Sequence, residues 1–361
     1  DVRRFWQMDA GSRGKQPLVT FRQINSPLSS AESKEGYTLI VSEKGVEISA
    51  GEFSGFFNAL QTVRQLIRKD NKKYSMPYCR IKDAPAFPVR GLMLDVGRNY
   101  MSVPFLKSVV RRLSHYKINV LHLHLSDDPG WRVEVNKYPE LTVETSFWPT
   151  RQPGKFYTQE DIKSICDFCD SLNIRVIPEI DMPGHSAAFR KAIGKDMQTP
   201  EGMQVLKEAL DEIIPLFKDS LFHIGSDEVH FKMKEFMPEM IRYVRSKGKQ
   251  VVVWYPGYAP DSNAVRMCWG EYEAGYSLDK SAPYIDCNGF YMDWMDSQGG
   301  VLQTFFQYPC EVPQAGGKAL GSEMCVWTDG AISSDERILL QYPFYPTMLT
   351  FSERIWRGSR E

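Results

Sequence analysis

From Val89 onward the apolar and polar positions repeat in a regular rhythm. Short, almost wholly apolar runs recur: VRGLMLDV (89–96), INVLHLHL (118–125), IRVIPEI (174–180), LFHIG (221–225), VVVWY (251–255), AVRMCW (264–269), IDCNGFY (285–291) and ALGSEMCVW (319–327). Runs of this length, rich in Val, Ile and Leu, predict strands buried on both faces. Between them, SVPFLKSVVRRLSHY (102–116), TQEDIKSICDFCDSL (158–172) and MQVLKEALDEIIPLF (203–217) place apolar residues at helical spacing. The later connections are less helical in pattern. Eight strands over residues 86–361 predict a (β/α)8 TIM barrel, a fold of about 250 residues. A doubly wound open sheet is the alternative, but no GxGxxG follows the first strand and the strand count favours closure.

Residues 1–85 read as a separate, small α/β domain. GYTLIVSEKGVEISA (36–50) alternates about a turn at Glu43-Lys44-Gly45, which predicts a hairpin. SGFFNALQTVRQLIRKD (54–70) then spaces Phe57, Leu60, Val63, Leu66 and Ile67 as one helix face. KDAPAFPVRG (82–91), with two prolines, makes the join. The first 35 residues carry weak patterning.

Composition adds bounds. The 361 residues are 42% hydrophobic and 25% charged, with a net charge of -1, so nothing points to nucleic acid or a membrane surface as partner. No run is long and apolar enough to span a bilayer, and no signal peptide is visible. The chain begins at Asp1, which leaves a removed leader open. The 7 cysteines are odd in number and irregularly spaced, which is no disulfide framework. Cys166 and Cys169 spell CxxC within a helical pattern, where both share an apolar face and packing is the expected role rather than redox or metal chemistry.

The C-terminal ends of barrel strands are where active sites form. Read in order, they offer Asp95 and Arg98; His122, His124, Asp127, Asp128 and Trp131; Glu179, Asp181 and His185; Asp227, Glu228 and His230; Trp254; Trp269 and Glu271; Tyr291, Asp293 and Trp294; Trp327 and Asp329. Tryptophan faces stack on the CH faces of sugar rings, while carboxylates and Arg bind hydroxyls. The joint placement suggests a carbohydrate pocket, although rim packing would explain any one Trp. His122 and His124 point to the same strand face. A metal-dependent hydrolase is therefore an alternative, but both lie within the strand, where a buried, hydrogen-bonded core role is expected.

LDVGR (94–98), HLSDDPGWR (124–132), PEIDMPGH (178–185), HIGSDEV (223–229), YMD (291–293) and VWTD (326–329) resemble, in order, the motifs of the family 20 glycoside hydrolases, the β-N-acetylhexosaminidases. SERIW (352–356) and the small domain before the barrel fit as well. The resemblance implies an exo-acting, retaining, substrate-assisted hydrolase that needs no metal and no cofactor. In it the 2-acetamido oxygen attacks the anomeric carbon and an oxazolinium ion forms, one of the exceptions to the two-carboxylate scheme. Glu228 would be the general acid and base, Asp227 would orient the acetamido N–H, and Tyr291 would bind the acetamido oxygen. Asp127 and His185 would form a relay to Glu228. Arg98 would hold the 3- and 4-hydroxyls; Trp254, Trp269 and Trp327 would wall the pocket; Asp293 would support it near Tyr291; and Asp329 would face the 4- and 6-hydroxyls.

Two positions depart from the family pattern. Ser226 stands where Gly is usual, and Asp329 where Glu is usual, which opens the choice among GlcNAc, GalNAc and a 6-sulfated sugar. TFFQYPCEVPQ (304–314) has Phe and Tyr where members often carry another Trp. The partner implied is a glycan with a terminal N-acetylhexosamine. The implied location is extracytoplasmic: secreted, periplasmic or lysosomal. A sugar-binding barrel without turnover is the non-enzymatic alternative, opposed by the presence of Asp227, Glu228 and Tyr291.

Overall fold

The computed structural model describes residues 19–24, 34–71, 73–258, 264–270, 282–293, 296–310 and 317–358. Glu271, Trp294 and the stretch 311–314 of the aromatic segment lie outside them, as do residues 1–18. The chain divides into two compact units between Pro85 and Ala86.

The first unit holds a sheet in the order β1 (Val19–Gln23), β3 (Gly45–Ala50), β2 (Tyr37–Ser42), β6 (Cys79–Asp83), and a two-stranded ribbon of β4 (Arg68–Asp70) and β5 (Lys73–Ser75). The expected hairpin forms: Ser42 pairs with Gly45 across Glu43-Lys44. Alternation puts Tyr37, Leu39 and Val41 of β2 and Val46, Ile48 and Ala50 of β3 in the core. Helix α1 (Phe53–Leu66) covers that face with Phe57, Ala59 and Val63.

In the second unit eight parallel strands close into the expected barrel: β7 (Val89–Asp95), β8 (Val120–His124), β11 (Arg175–Glu179), β12 (Leu221–His223), β13 (Gln250–Tyr255), β14 (Ala264–Cys268), β15 (Tyr284–Asp286) and β16 (Ala319–Val326), which returns to β7. A two-residue pair, β9 (Ser126–Asp127) and β10 (Gly130–Trp131), extends the exit from β8. The helices are α2 (Val103–His115), α3 (Gln159–Ser171), α4 (Ala187–Ile193), α5 (Pro200–Ile213), α6 (Phe236–Ser246), α7 (Ser297–Phe306), α8 (Asp335–Gln341) and α9 (Phe344–Arg357).

The period of two gives each strand two apolar faces. Leu92, Leu94, Leu121, Leu123, Val251 and Val253 pack outward with the helices. Met93, Val120, Ile177, Val252, Trp254, Val265, Met267 and Cys325 fill the interior. Cys166 and Cys169 are buried free thiols in α3, and burial pushes Cys166 up to about 12, so they pack rather than react. Among the described residues no helix is long and apolar enough to cross a membrane.

Helix α3 starts with a reciprocal cap. Thr158 Oγ1 accepts Asp161 N–H at 3.0 Å, and Asp161 Oδ2 accepts Thr158 N–H at 3.0 Å. Such a cap contributes about 1 kcal/mol. Thr158→Ala should therefore lower unfolding free energy by about 1 kcal/mol in urea titrations without changing the m value.

Candidate active site

The interior of the barrel turns polar one layer below its C-terminal mouth. Glu179, at the end of β11 and fully buried, is the hub. Its Oε2 meets His124 Nδ1 at 2.7 Å and His122 Nε2 at 3.1 Å; its Oε1 accepts Trp254 Nε1–H at 2.6 Å and lies 3.2 Å from His223 Nδ1. His122 Nδ1 reaches Glu323 of β16 at 3.1 Å. Glu323 fits because Gly91 lies opposite it: a Cβ there would sit 2.4 Å from Glu323 Cγ.

Burial alone would lower the basicity of His122. The close carboxylates of Glu179 and Glu323 outweigh it and raise His122 to about 9. His124 is raised for the same kind of reason, by Glu179 and Asp127. Burial also opposes ionisation of Glu179, but His124, His223 and His122 hold it below the usual carboxylate range. His122 and His124 are buried and bonded to carboxylates within the barrel, the core placement read from their position inside the strand.

The chain of contacts then climbs to the mouth. His124 Nε2 meets Asp127 Oδ2 at 3.0 Å; Asp127 Oδ2 lies 3.8 Å from His185 Nδ1; His185 Nε2 lies 3.4 Å from Glu228 Oε2. Burial works against Asp127's charge, yet His124 and Arg98 keep its carboxyl below the usual range.

Arg98 sits just past β7. Asp95 Oδ1 accepts its backbone N–H at 2.9 Å, and Asp95 Oδ2 its Nη1–H at 3.0 Å. Its other nitrogens face Asp127 (3.2 Å) and Asp329 (3.4 Å), and the guanidinium lies 5.0 Å from the Trp327 ring centre. Burial lowers the basicity of Arg98, but Asp95, Asp127 and Asp329 more than restore it.

The adjacent acids follow from the turn after β12. Gly225, Ser226 and Glu228 have φ of +64°, +106° and +49°. This left-handed path breaks the alternation of a strand, so Asp227 and Glu228 both reach one cavity. At Gly225 a Cβ would lie 1.7 Å from Asp181 Oδ1, so only glycine fits. Ser226 and Glu228 carry side chains in this region at a cost of roughly 1–3 kcal/mol each. The turn is tied to β13 by Trp254 N–H on Gly225 O (2.9 Å) and Ser226 Oγ–H on Trp254 O (3.3 Å), and to β12 by Gly225 N–H on His223 Nδ1 (3.0 Å). His185, opposite, is also left-handed, with φ +43°.

The two acids differ sharply. Asp227 is 9% exposed, whereas the Glu228 side chain is 60% exposed. Burial pushes Asp227 up to about 7; nearby His185 pulls it down, and Glu179 and Glu228 add to the rise. Tyr291, beside Trp327 at the same level, is held far above the usual phenol range, chiefly by burial, so it is a hydrogen-bond donor and not a base.

The cavity they share has a volume of about 420 Å³, in the range of small-molecule sites. Ten of the eleven site residues expected from the sequence line it: Arg98, Asp127, His185, Asp227, Glu228, Trp269, Tyr291, Asp293, Trp327 and Asp329. Trp254 does not. It is fully buried under the floor, with its ring 5.6 Å from Trp327 and 4.6 Å from His223, because its N–H is drawn down to Glu179. Trp254, expected as a pocket wall, lies directly beneath the lining residue Trp327.

The sequence reading passed over three residues. Glu323 completes the interior cluster. Arg132, buried, donates to the carbonyls of Gly97 (3.1 Å), Gln152 (3.0 Å), Lys155 (2.8 Å) and Arg151 (2.6 Å) and so shapes the loop over the mouth. Arg151 on that loop donates to Thr328 O and Gly330 O, both at 3.1 Å, and to Asp329 O, fixing the segment that carries Asp329. A glutamate within an apolar strand was the signal for Glu323. Arginines bonded to backbone carbonyls leave none. Four groups among the described residues bring three side chains of metal-ligand type within 4.8 Å of one another: His122–Glu179–His223, His124–Asp127–Asp181, Asp127–Asp128–His185 and Asp181–His185–Asp227.

Comparison with known proteins agrees with this geometry. The profile "Glycosyl hydrolase family 20, domain 2" matches residues 9–84, and "Glycosyl hydrolase family 20, catalytic domain" matches 87–200. A beta-hexosaminidase of Vibrio furnissii is 33% identical over 275 residues, 60% of this chain and 45% of that protein. A beta-N-acetylhexosaminidase of Cellulomonas fimi is 33% identical over 270 residues, 67% of this chain and 54% of that one. The chain thus spans about half the length of these relatives. Among solved structures, Streptomyces plicatus N-acetyl-beta-hexosaminidase in complex with Thio-NAglucal superposes with a TM-score of 0.82 at 26% identity, covering 94% of this chain and 78% of that one. The Vibrio harveyi exo beta-N-acetylglucosaminidase in complex with N-acetylglucosamine gives 0.79 at 26% identity, with coverage of 94% and 64%. With both profiles together matching more than half of the sequence, and with the closed barrel beneath them, the chain belongs to glycoside hydrolase family 20.

Proposed function

We propose that this chain is an exo-acting, retaining β-N-acetylhexosaminidase in which the substrate's own acetamido oxygen is the nucleophile. One observation carries the reading: adjacent acids in one cavity, of which the first is buried and the second open and linked to an imidazole–carboxylate pair. A buried carboxylate suits a substrate N–H. An open one suits proton exchange with the leaving oxygen and then with water.

The steps follow. Glu228 gives its proton to the glycosidic oxygen as the C1–O bond breaks. The acetamido oxygen forms the new bond to C1, giving an oxazolinium ion and the freed alcohol. Asp227 accepts the acetamido N–H and balances the positive charge that grows there; Tyr291 donates to the acetamido oxygen and aims it. Water then attacks C1 on the face the alcohol left, passes a proton to Glu228, and the ring of the intermediate opens with net retention. Holding the nucleophile in place removes much of the entropic barrier. Arg98 and Asp329 bind ring hydroxyls, and Trp269 and Trp327 face the sugar.

Charge balance favours a neutral terminal sugar. Arg98 is already shared by Asp95, Asp127 and Asp329, and acids dominate the remaining cavity lining. Among the described residues an O6 sulfate would meet carboxylates rather than a free cation, so plain GlcNAc or GalNAc is the better fit.

The matched nitrophenyl β-GlcNAc and β-glucoside test the reading: release from the first alone is expected, and equal release would mean that an enzyme carboxylate is the nucleophile. Asp227→Asn should cut kcat on the order of 10²-fold or more, since an oriented charge at the transition state is lost. Glu228→Gln should cost about 10²–10⁴-fold on alkyl glycosides and much less on nitrophenyl ones. Because Asp227 must be ionised to accept the N–H, kcat/KM should fall as pH drops below about 7. The matching limb in kcat should lie at lower pH, since the bound N–H favours the carboxylate; coincident limbs would rule Asp227 out of this role.

A further inference from the structure

Asp181 ends the PEID segment after β11 and has no place in the scheme above. It is 1% exposed, and its Oδ1 has no hydrogen-bond partner among the described residues. Oδ1 of the neighbouring Asp227 is likewise buried and without one. Asp181, Asp227 and His185 present side-chain atoms within 4.8 Å of one another, and Asp181 belongs to a second such group with His124 and Asp127. It also lines the cavity. The close approach is built in: Gly225, on the turn that carries Asp227, leaves room for Asp181 Oδ1 that any Cβ would fill.

Two carboxylates this near each other and this far from water do not both ionise; one proton stays between them. The groups facing Asp181 decide where it sits. Asp227 follows β12, Glu179 is on β11, Asp127 on β9 and His124 on β8. Three of these are carboxylates, and the positive charge of His124 is already divided between Glu179 and Asp127. His185, within 4.8 Å of both carboxylates, lies between Asp127 and Glu228 and pulls Asp227 toward its charged form. We propose that Asp181 works as a neutral carboxylic acid whose O–H is hydrogen-bonded to Asp227, so that the negative charge of the pair is held on Asp227, where the acetamido N–H arrives. Asp181 is then a positioning residue that acts through Asp227. Its carboxyl is raised well above the usual range, first by burial and then by Asp227 and Glu179, in keeping with that form.

The inference rests on the reading of Asp227 given above, and its test separates the two. Infrared spectra of the unmodified protein at pH 8 should show a protonated carboxyl C=O band that is absent in Asp181→Asn. That readout needs no turnover, whereas failure of the proposed activity shows as no release from nitrophenyl β-GlcNAc. In kinetics, Asp181→Asn keeps a donor and adds no charge change, so kcat/KM should stay within about tenfold and its acid limb within half a pH unit of the parent. Asp181→Leu removes the donor at similar size. Its acid limb should move up by about one unit and its kcat/KM at pH 6 should fall about tenfold further than that of the Asn variant. A merely structural role would not move the limb, nor be rescued by Asn. Absence of the band in the unmodified protein, or an acid limb displaced downward by a unit in Asp181→Asn, would mean that Asp181 is ionised and would overturn the proposal.

Discussion

The pairing of buried charge inside the barrel is the constraint on which the site depends. Glu179 is wholly removed from water, and an isolated carboxylate there would cost several kcal/mol. His122 and His124 supply the compensating imidazoles and Trp254 an N–H, with His223 packed alongside. Each of them comes from a different strand or strand position, so the need to satisfy one carboxylate fixes the mutual register of β8, β11, β12 and β13 at the height where chemistry begins. Removing any one partner would leave charge or polarity unpaired, which is more damaging than never having placed it there.

The surface chemistry inherits its geometry from that layer. His124 is held between Glu179 and Asp127, and Asp127 in turn faces both Arg98 and His185. On the other side the Gly225 N–H binds His223, so the turn that presents Asp227 and Glu228 is anchored to the same cluster. The left-handed backbone at Gly225, Ser226 and Glu228 is tolerable because it is held on both flanks by hydrogen bonds to β12 and β13. A buried acid and an open one, side by side in sequence, are what such a turn delivers and what a regular strand does not.

Much of this was legible in the residue pattern. All eight barrel strands were visible because burial on both faces makes them continuously apolar, and strand-end acids stood out against that background. The parity of His122 and His124 was readable, since a strand repeats every two residues. Depth was not. Whether Trp254 faces sugar or protein depends on a hydrogen bond to Glu179 on a neighbouring strand that only closure of the barrel brings near. Glu323 lay in the strand without an evident partner because His122 is 201 positions earlier. Arg132 and Arg151 act on backbone carbonyls, which no side-chain pattern encodes.

The seam between β16 and β7 has a consequence for how the polypeptide is made. The strand that closes the barrel is also the one that brings Glu323 to His122. On the ribosome, seven strands can be synthesised before the eighth emerges, and until then the incipient sheet has two open edges and an imidazole short of one counter-charge. Such long-range closure is slow and leaves apolar edges exposed to other chains. Synthesis of β16 therefore finishes the wall and the charge balance together, and a nascent chain held short of residue 326 should be a client for chaperones rather than a partial enzyme.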